Sequence, residues 1–168
     1  MEPEMTTARS QTRKRTYRSP GQFLSDIWFL SRRLPKILRV RTGKTLPPSF
    51  RERLMLAVTS VYGCSICTWI HTREALRRGV DREEVAGLLA GSVDDCPADE
   101  AIGVLYAQHW ADSDARPDPE AVERLERTYG TDKAELINTT LRMVRVGNLT
   151  YNTWRRLLYK ITAGRLGE

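Results

Sequence analysis

The chain has 168 residues, 40% hydrophobic and 29% charged, with a formal net charge of +6. That length and balance fit one globular domain with a buried core and exclude a disordered or fibrous chain. No apolar run approaches the ~18 residues that span a bilayer. The polar start MEPEMTTARS does not read as a secretory signal, and three cysteines do not make a disulfide-stapled scaffold, so a reducing cytoplasm is the expected setting.

The charge is unevenly placed. Residues 1–45 carry a net charge of +8, and the remainder is slightly acidic. Residues 1–19, polar and basic and ending in SPG, read as a disordered N-terminal arm. No nucleic-acid-binding motif accompanies the charge, so no specific nucleic-acid partner is expected. Residues 20–168 read as one helical domain, with an N-terminal amphipathic helix and loop over 20–44 and a core over 45–163.

From Gln22 the apolar residues Phe23, Leu24, Ile27, Trp28, Leu30, Leu34, Ile37 and Leu38 follow a 3.6-residue period. Pro35 should end or kink that helix, and RTGKTLPPS is a loop. The 22–40 helix could lie on a membrane, its basic residues toward the headgroups. Burial against a neighbouring subunit is the preferred reading. A helix follows from Phe50 to Val61, broken by Gly63, and another from Cys64 to Arg78, closed by Gly79. Asp81 and Glu84 have capping-box spacing at the start of the next helix, which ends near Gly91. Pro97 opens a helix carrying Ile102, Leu105, Tyr106 and His109; Pro119 opens one that stops at Gly130. The last begins after Thr131 and continues past Leu157, with Gly147 as a candidate bend. No long period-two alternation occurs, so the fold class is all-α with seven or eight helices.

The stretch GCSICTWIH concentrates Cys64, Cys67 and His71 within eight residues. With Cys64 opening the helix, the three side chains form one stripe at i, i+3 and i+7. A thiol of pKa ~8.5 is only about 3% thiolate at pH 7; a helix N-terminus or an imidazolium lowering it to ~6.5 makes it about 75% thiolate. Such a thiolate can attack a peroxide oxygen to give a sulfenic acid, and a second cysteine one turn away can condense with it. An i, i+3 pair starts about 5–6 Å apart at Cβ, so closing a disulfide requires the first turn to adjust. An exposed, strained disulfide would suit a reductive cycle. If the helices flanking Gly63 fold back on each other, Glu52 and His71 lie at similar depth, and the carboxylate would orient the imidazole to take the thiol proton.

Other readings compete. C-x-x-C-x-x-x-H also supplies zinc ligand types, with Cys96 or His109 as a fourth. C-type haem attachment is excluded because Thr68 follows Cys67, and no βαβ pattern supports a thioredoxin-like motif. His109 reads as structural. Cys96 reads as a bystander whose thiolate Asp94 and Asp95 disfavour. Tyr62, Ile66 and Trp69 are candidates for a substrate mouth or for packing.

Glutamate, eleven residues, then C-x-x-C-x-x-x-H, here Glu52, Cys64, Cys67 and His71, resembles the AhpD-like family within the carboxymuconolactone decarboxylase superfamily. RERLMLAVTSVYGC, GVDREEVAGLL, EAIGVLYAQHWAD and NLTYN extend the resemblance over about residues 45 to 160. The resemblance implies an all-helical fold assembled as a homo-oligomer, trimer or hexamer. It implies thiol-dependent hydroperoxide reduction of peroxiredoxin type, with no cofactor and no metal. It implies Cys67 as the peroxidatic cysteine, Cys64 as the resolving one, and His71 with Glu52 as proton relay. The implied reductant is an external dithiol, a lipoyl-bearing protein in alkylhydroperoxidase itself. One departure is Ile66, where that enzyme carries a histidine. The decarboxylase branch lacks the cysteine pair, which makes a lyase the weaker enzymatic reading; a non-catalytic redox-sensing or binding protein is the rival from another class.

Overall fold

The computed structural model describes residues 14–165, and the secondary structure among them is helical: α1 (Pro20–Ser31), α2 (Leu34–Thr42), α3 (Pro48–Tyr62), α4 (Ser65–Arg77), α5 (Arg82–Ala90), α6 (Ala98–Asp112) and α7 (Pro119–Ile161). The fold is an all-helical single domain with seven helices and no strand among the described residues.

The hub is α3, which packs against α4, α5, α6 and α7. Phe50, Leu54, Met55, Leu56, Ala57, Val58 and Tyr62 are buried around its whole circumference, as a central helix requires. On one side α6 comes close because Gly103 has no side chain: a Cβ there would meet Phe50 Cζ at 2.6 Å. On another side Leu136, Ile137, Leu141, Val144 and Leu149 of α7 complete the core. Two charged residues of α3 are also buried, and both are paired. Arg53 donates to both Glu84 oxygens at 2.5 and 3.0 Å and to Glu100 at 3.0 Å, and Glu52 is part of the site described below.

The expected 22–40 helix is two helices. The break at Arg32 and Arg33 precedes Pro35, which sits in the first turn of α2, where its missing N–H leaves no bond unmade. Both helices lie against α7, with Lys36 paired to Glu135 and Arg39 to Asp132. The residue that α1 buries is a charge, Asp26, while Leu24 and Trp28 remain exposed. Asp26 accepts from Arg142 at 2.5 Å, Arg145 at 2.9 Å and the Tyr17 hydroxyl at 2.9 Å.

Of the arm expected to be disordered, residues 1–13 lie outside the described residues. Residues 14–19 do not behave as a free tail: Arg15 pairs with Asp112, and the Tyr17 N–H donates to Thr153 Oγ1 at 3.0 Å. Two helix-end readings also change. Asp81 is the N-cap of α5, as the spacing predicts, but its side chain makes no capping bond, and Glu84 is turned inward to Arg53 rather than back to the cap. The long last helix passes Gly147 without interruption; its break is at Gly130, where φ 74° and ψ 158° leave the helical region. Among the described residues, no helix is long and apolar enough to cross a membrane.

Candidate active site

The α3–α4 hairpin builds the site. Gly63 ends α3 in the left-handed region at φ 65°, and its N–H donates to Thr59 O at 2.9 Å. The chain reverses there, and Cys64 becomes the N-cap of α4 rather than a first-turn residue. Its extended backbone, φ −87° and ψ 106°, is the adjustment that an i, i+3 pair needs. Cys64 and Cys67 are joined as a disulfide with Cα atoms 5.3 Å apart. Cys64 Sγ accepts the Cys67 N–H at 3.3 Å, and the Thr68 hydroxyl donates to Cys64 O at 3.0 Å. A sulfur at this cap faces the unpaired N–H groups of the first turn, an environment that favours negative charge.

The pair is not exposed, contrary to the expectation. Cys64 is fully buried and Cys67 is 8% exposed, so Cys67 is the member that solvent reaches. The N-cap position turns the Cys64 sulfur into the helix start, where it accepts the Cys67 N–H. Tyr62, a candidate for a substrate mouth, is fully buried with its hydroxyl bonded to Arg145 at 2.7 Å. Ile66 is half-buried. Trp69 and Ile70 stand out on the surface of α4, with the Arg73 guanidinium 5.5 Å from the Trp69 ring centre.

Glu52 and His71 meet across the hairpin, His71 Nδ1 lying 3.0 Å from Glu52 Oε2. Glu52 is buried, and its other oxygen accepts from Arg51 at 3.3 and 3.4 Å. Arg51 also donates to Val40 O at 3.4 Å, tying the carboxylate to the end of α2. Sequence reasoning missed Arg51; its only signal is adjacency to Glu52, too common to read. When Nδ1–H is donated to the carboxylate, Nε2 is left as the proton-accepting nitrogen. His71 follows Cys67 by one turn on α4.

The remaining candidates lie in other surroundings. Cys96 sits with Glu84 and Arg53, and its thiol is pushed up to about 11, first by burial and then by Glu84. Asp94 and Asp95 are not the cause. His109 Nε2 accepts the Asp118 N–H at 3.2 Å, at the N-cap of α7. Among the described residues, no three His, Cys, Asp or Glu side chains gather as metal ligands would.

The fold and site define an all-helical protein with a cysteine pair at a helix N-terminus and a carboxylate-oriented histidine one turn on. Residues 36–107 match the family model described as carboxymuconolactone decarboxylase family. The match runs from α2 into α6 and contains all four residues of the site. No curated protein and no solved structure matches the chain.

Proposed function

We propose that the protein is a thiol-dependent hydroperoxide reductase cycling through the Cys64–Cys67 disulfide. The observation that carries this reading is the Glu52–His71 contact at 3.0 Å, on the helix that holds the disulfide. In the reduced protein the His71 imidazole takes the Cys67 proton, and Glu52 fixes the ring's tautomer and orientation. The Cys67 thiolate attacks the peroxide; the O–O bond breaks, giving Cys67 sulfenic acid and an alcohol that receives the proton. Cys64, whose sulfur gains from the Cys67 N–H, attacks the sulfenic acid and releases water. An external dithiol then reduces the disulfide and is itself oxidised, returning both thiols.

Partial exposure of Cys67 against full burial of Cys64 favours Cys67 as the peroxidatic residue. The exposed Trp69 and Ile70, past the pair on α4, offer the dithiol partner an apolar contact. The exposed Leu24 and Trp28 of α1 fit, in this reading, against a second copy of the chain.

Steady-state consumption of an organic hydroperoxide with a dithiol such as dihydrolipoamide tests the proposal. Catalytic turnover by the native chain and none by Cys67→Ser is the expected result. Stoichiometric oxidation without turnover under any dithiol would assign a redox-sensing role instead.

A further inference from the structure

Tyr62 is the last residue of α3, two residues before Cys64, and the carbonyls of a helix's last turn have no partner within the helix. Its oxygen is nevertheless satisfied twice. The Arg15 backbone N–H donates to it at 3.0 Å, and Asn152 Nδ2 of α7 donates to it at 3.0 Å. Asn152 Nδ2 also reaches Arg15 O at 2.9 Å, so one buried amide joins the N-terminal segment to the end of α3. The segment is itself anchored: the Arg15 guanidinium donates to Ala111 O at 2.9 Å and to Asp112 Oδ1 at 2.6 Å.

The Tyr62 carbonyl belongs to the Tyr62–Gly63 peptide, so fixing it fixes the turn that sets Cys64 at the N-cap of α4. Both donors, Arg15 and Asn152, lie outside the family-matched residues 36–107. We infer that Asn152 and the Arg15 segment are a positioning clamp that sets the reduction potential of the Cys64–Cys67 pair. The inference rests on the proposed redox role of that pair.

The direction follows from the chain's freedom in the dithiol state. With the clamp in place, the Gly63 turn is ordered whether the sulfurs are joined or not, and closing the disulfide costs little further ordering. Without it the turn gains conformations when the thiols are free, and closure must remove them. Loss of the clamp therefore shifts the equilibrium toward the dithiol.

The test equilibrates native chain and variants with mixtures of reduced and oxidised glutathione, then traps thiols by alkylation and reads the oxidised fraction by mass. Two glutathione thiols reduce the protein disulfide and leave as one glutathione disulfide. Asn152→Ala is expected to move the equilibrium constant about fivefold toward the dithiol, which is about 20 mV less negative for a two-electron couple. Arg15→Ala, which frees the segment but keeps its backbone N–H, is expected to move it about twofold the same way and serves if Asn152→Ala does not fold. Leu125→Ala, a core truncation on α7 before the Gly130 break and far from Asn152, is expected to lower the melting temperature and leave the constant where it was. A constant unmoved in both clamp variants, with melting temperature lowered as in Leu125→Ala, would overturn the inference. These outcomes do not depend on peroxide turnover. A chain whose constant moves but which consumes no peroxide keeps the clamp and loses the peroxidase reading.

Discussion

His71 and Glu52 come from different helices, and neither is remarkable alone. Their 3.0 Å contact makes a specific demand on the chemistry. Removing the imidazole by His71→Ala should slow oxidation of Cys67 about 10²-fold or more near neutral pH, and Glu52→Gln should slow it less, since the ring remains. Stopped-flow oxidation of the reduced chain measures both; rates within twofold of the native chain would remove the relay. The four residues are legible in the sequence because glutamate, cysteine pair and histidine occur at a spacing that a helical hairpin at Gly63 converts into proximity. What could not be read was the phase of α4 to within one residue, because helix starts are set by cap geometry. That one residue makes Cys64 an N-cap and buries it. The roles of Arg51 and Asn152 were equally illegible: both fall in the quoted stretches RERLMLAVTSVYGC and NLTYN, but what their side chains hold is set only once the helices around them are placed.

At the scale of elements, α3 carries most of the structure. Its buried Arg53 is held by Glu84 from α5 and Glu100 from α6, so a single guanidinium joins three helices. Burial raises the Glu100 carboxyl and Arg53 opposes that rise. Arg53→Met would leave two largely buried carboxylates without their cation, and about 3–5 kcal/mol of destabilisation is expected in urea unfolding. A loss below about 1 kcal/mol would mean that the carboxylates find other partners or protonate at little cost. The same cluster explains why the capping-box reading of Asp81 and Glu84 failed: the buried cation on a neighbouring helix outbid the local backbone bond. Helix existence and order were legible from apolar periodicity and from Pro and Gly punctuation. The break at Arg32 and Arg33 was signalled by Pro35. The choice of Gly130 over Gly147 as the bend in α7 also followed the sequence in part, since the Pro119 helix was read to stop at Gly130. Gly147 stays helical between Val144 and Asn148, both buried, while Gly130 takes the positive φ of 74° that glycine alone adopts without strain.

Across the whole molecule, several buried or half-buried acids of raised pKa give folding a dependence on alkaline pH. Tyr106 is pushed up to about 12 by burial and Cys96 to about 11 by burial and Glu84; Tyr17 is raised further by burial and Asp26. Each keeps its proton longer in the folded chain than in the unfolded one. Their contribution is therefore complete below about pH 9 and is lost as pH rises through the folded values, because only the unfolded chain ionises in that window. The melting temperature should hold between pH 7 and about 8.5 and fall steadily above about 9. A profile flat to about pH 11 would show these groups to be less shielded than the packing implies. Charge asymmetry along the chain was plain in the sequence, but its use was not: the basic N-terminal stretch pairs with Asp112, Asp132 and Glu135. The central claim is that Cys67 and Cys64 form one redox couple driven by peroxide. Its most direct test treats the fully reduced chain with a few equivalents of an organic hydroperoxide and follows intact mass and peptide map over seconds to minutes. Loss of two hydrogens, mapped to a Cys64–Cys67 disulfide and leaving Cys96 as a thiol, is the predicted result. Survival of both thiols, or oxidation at Cys96 alone, would contradict it.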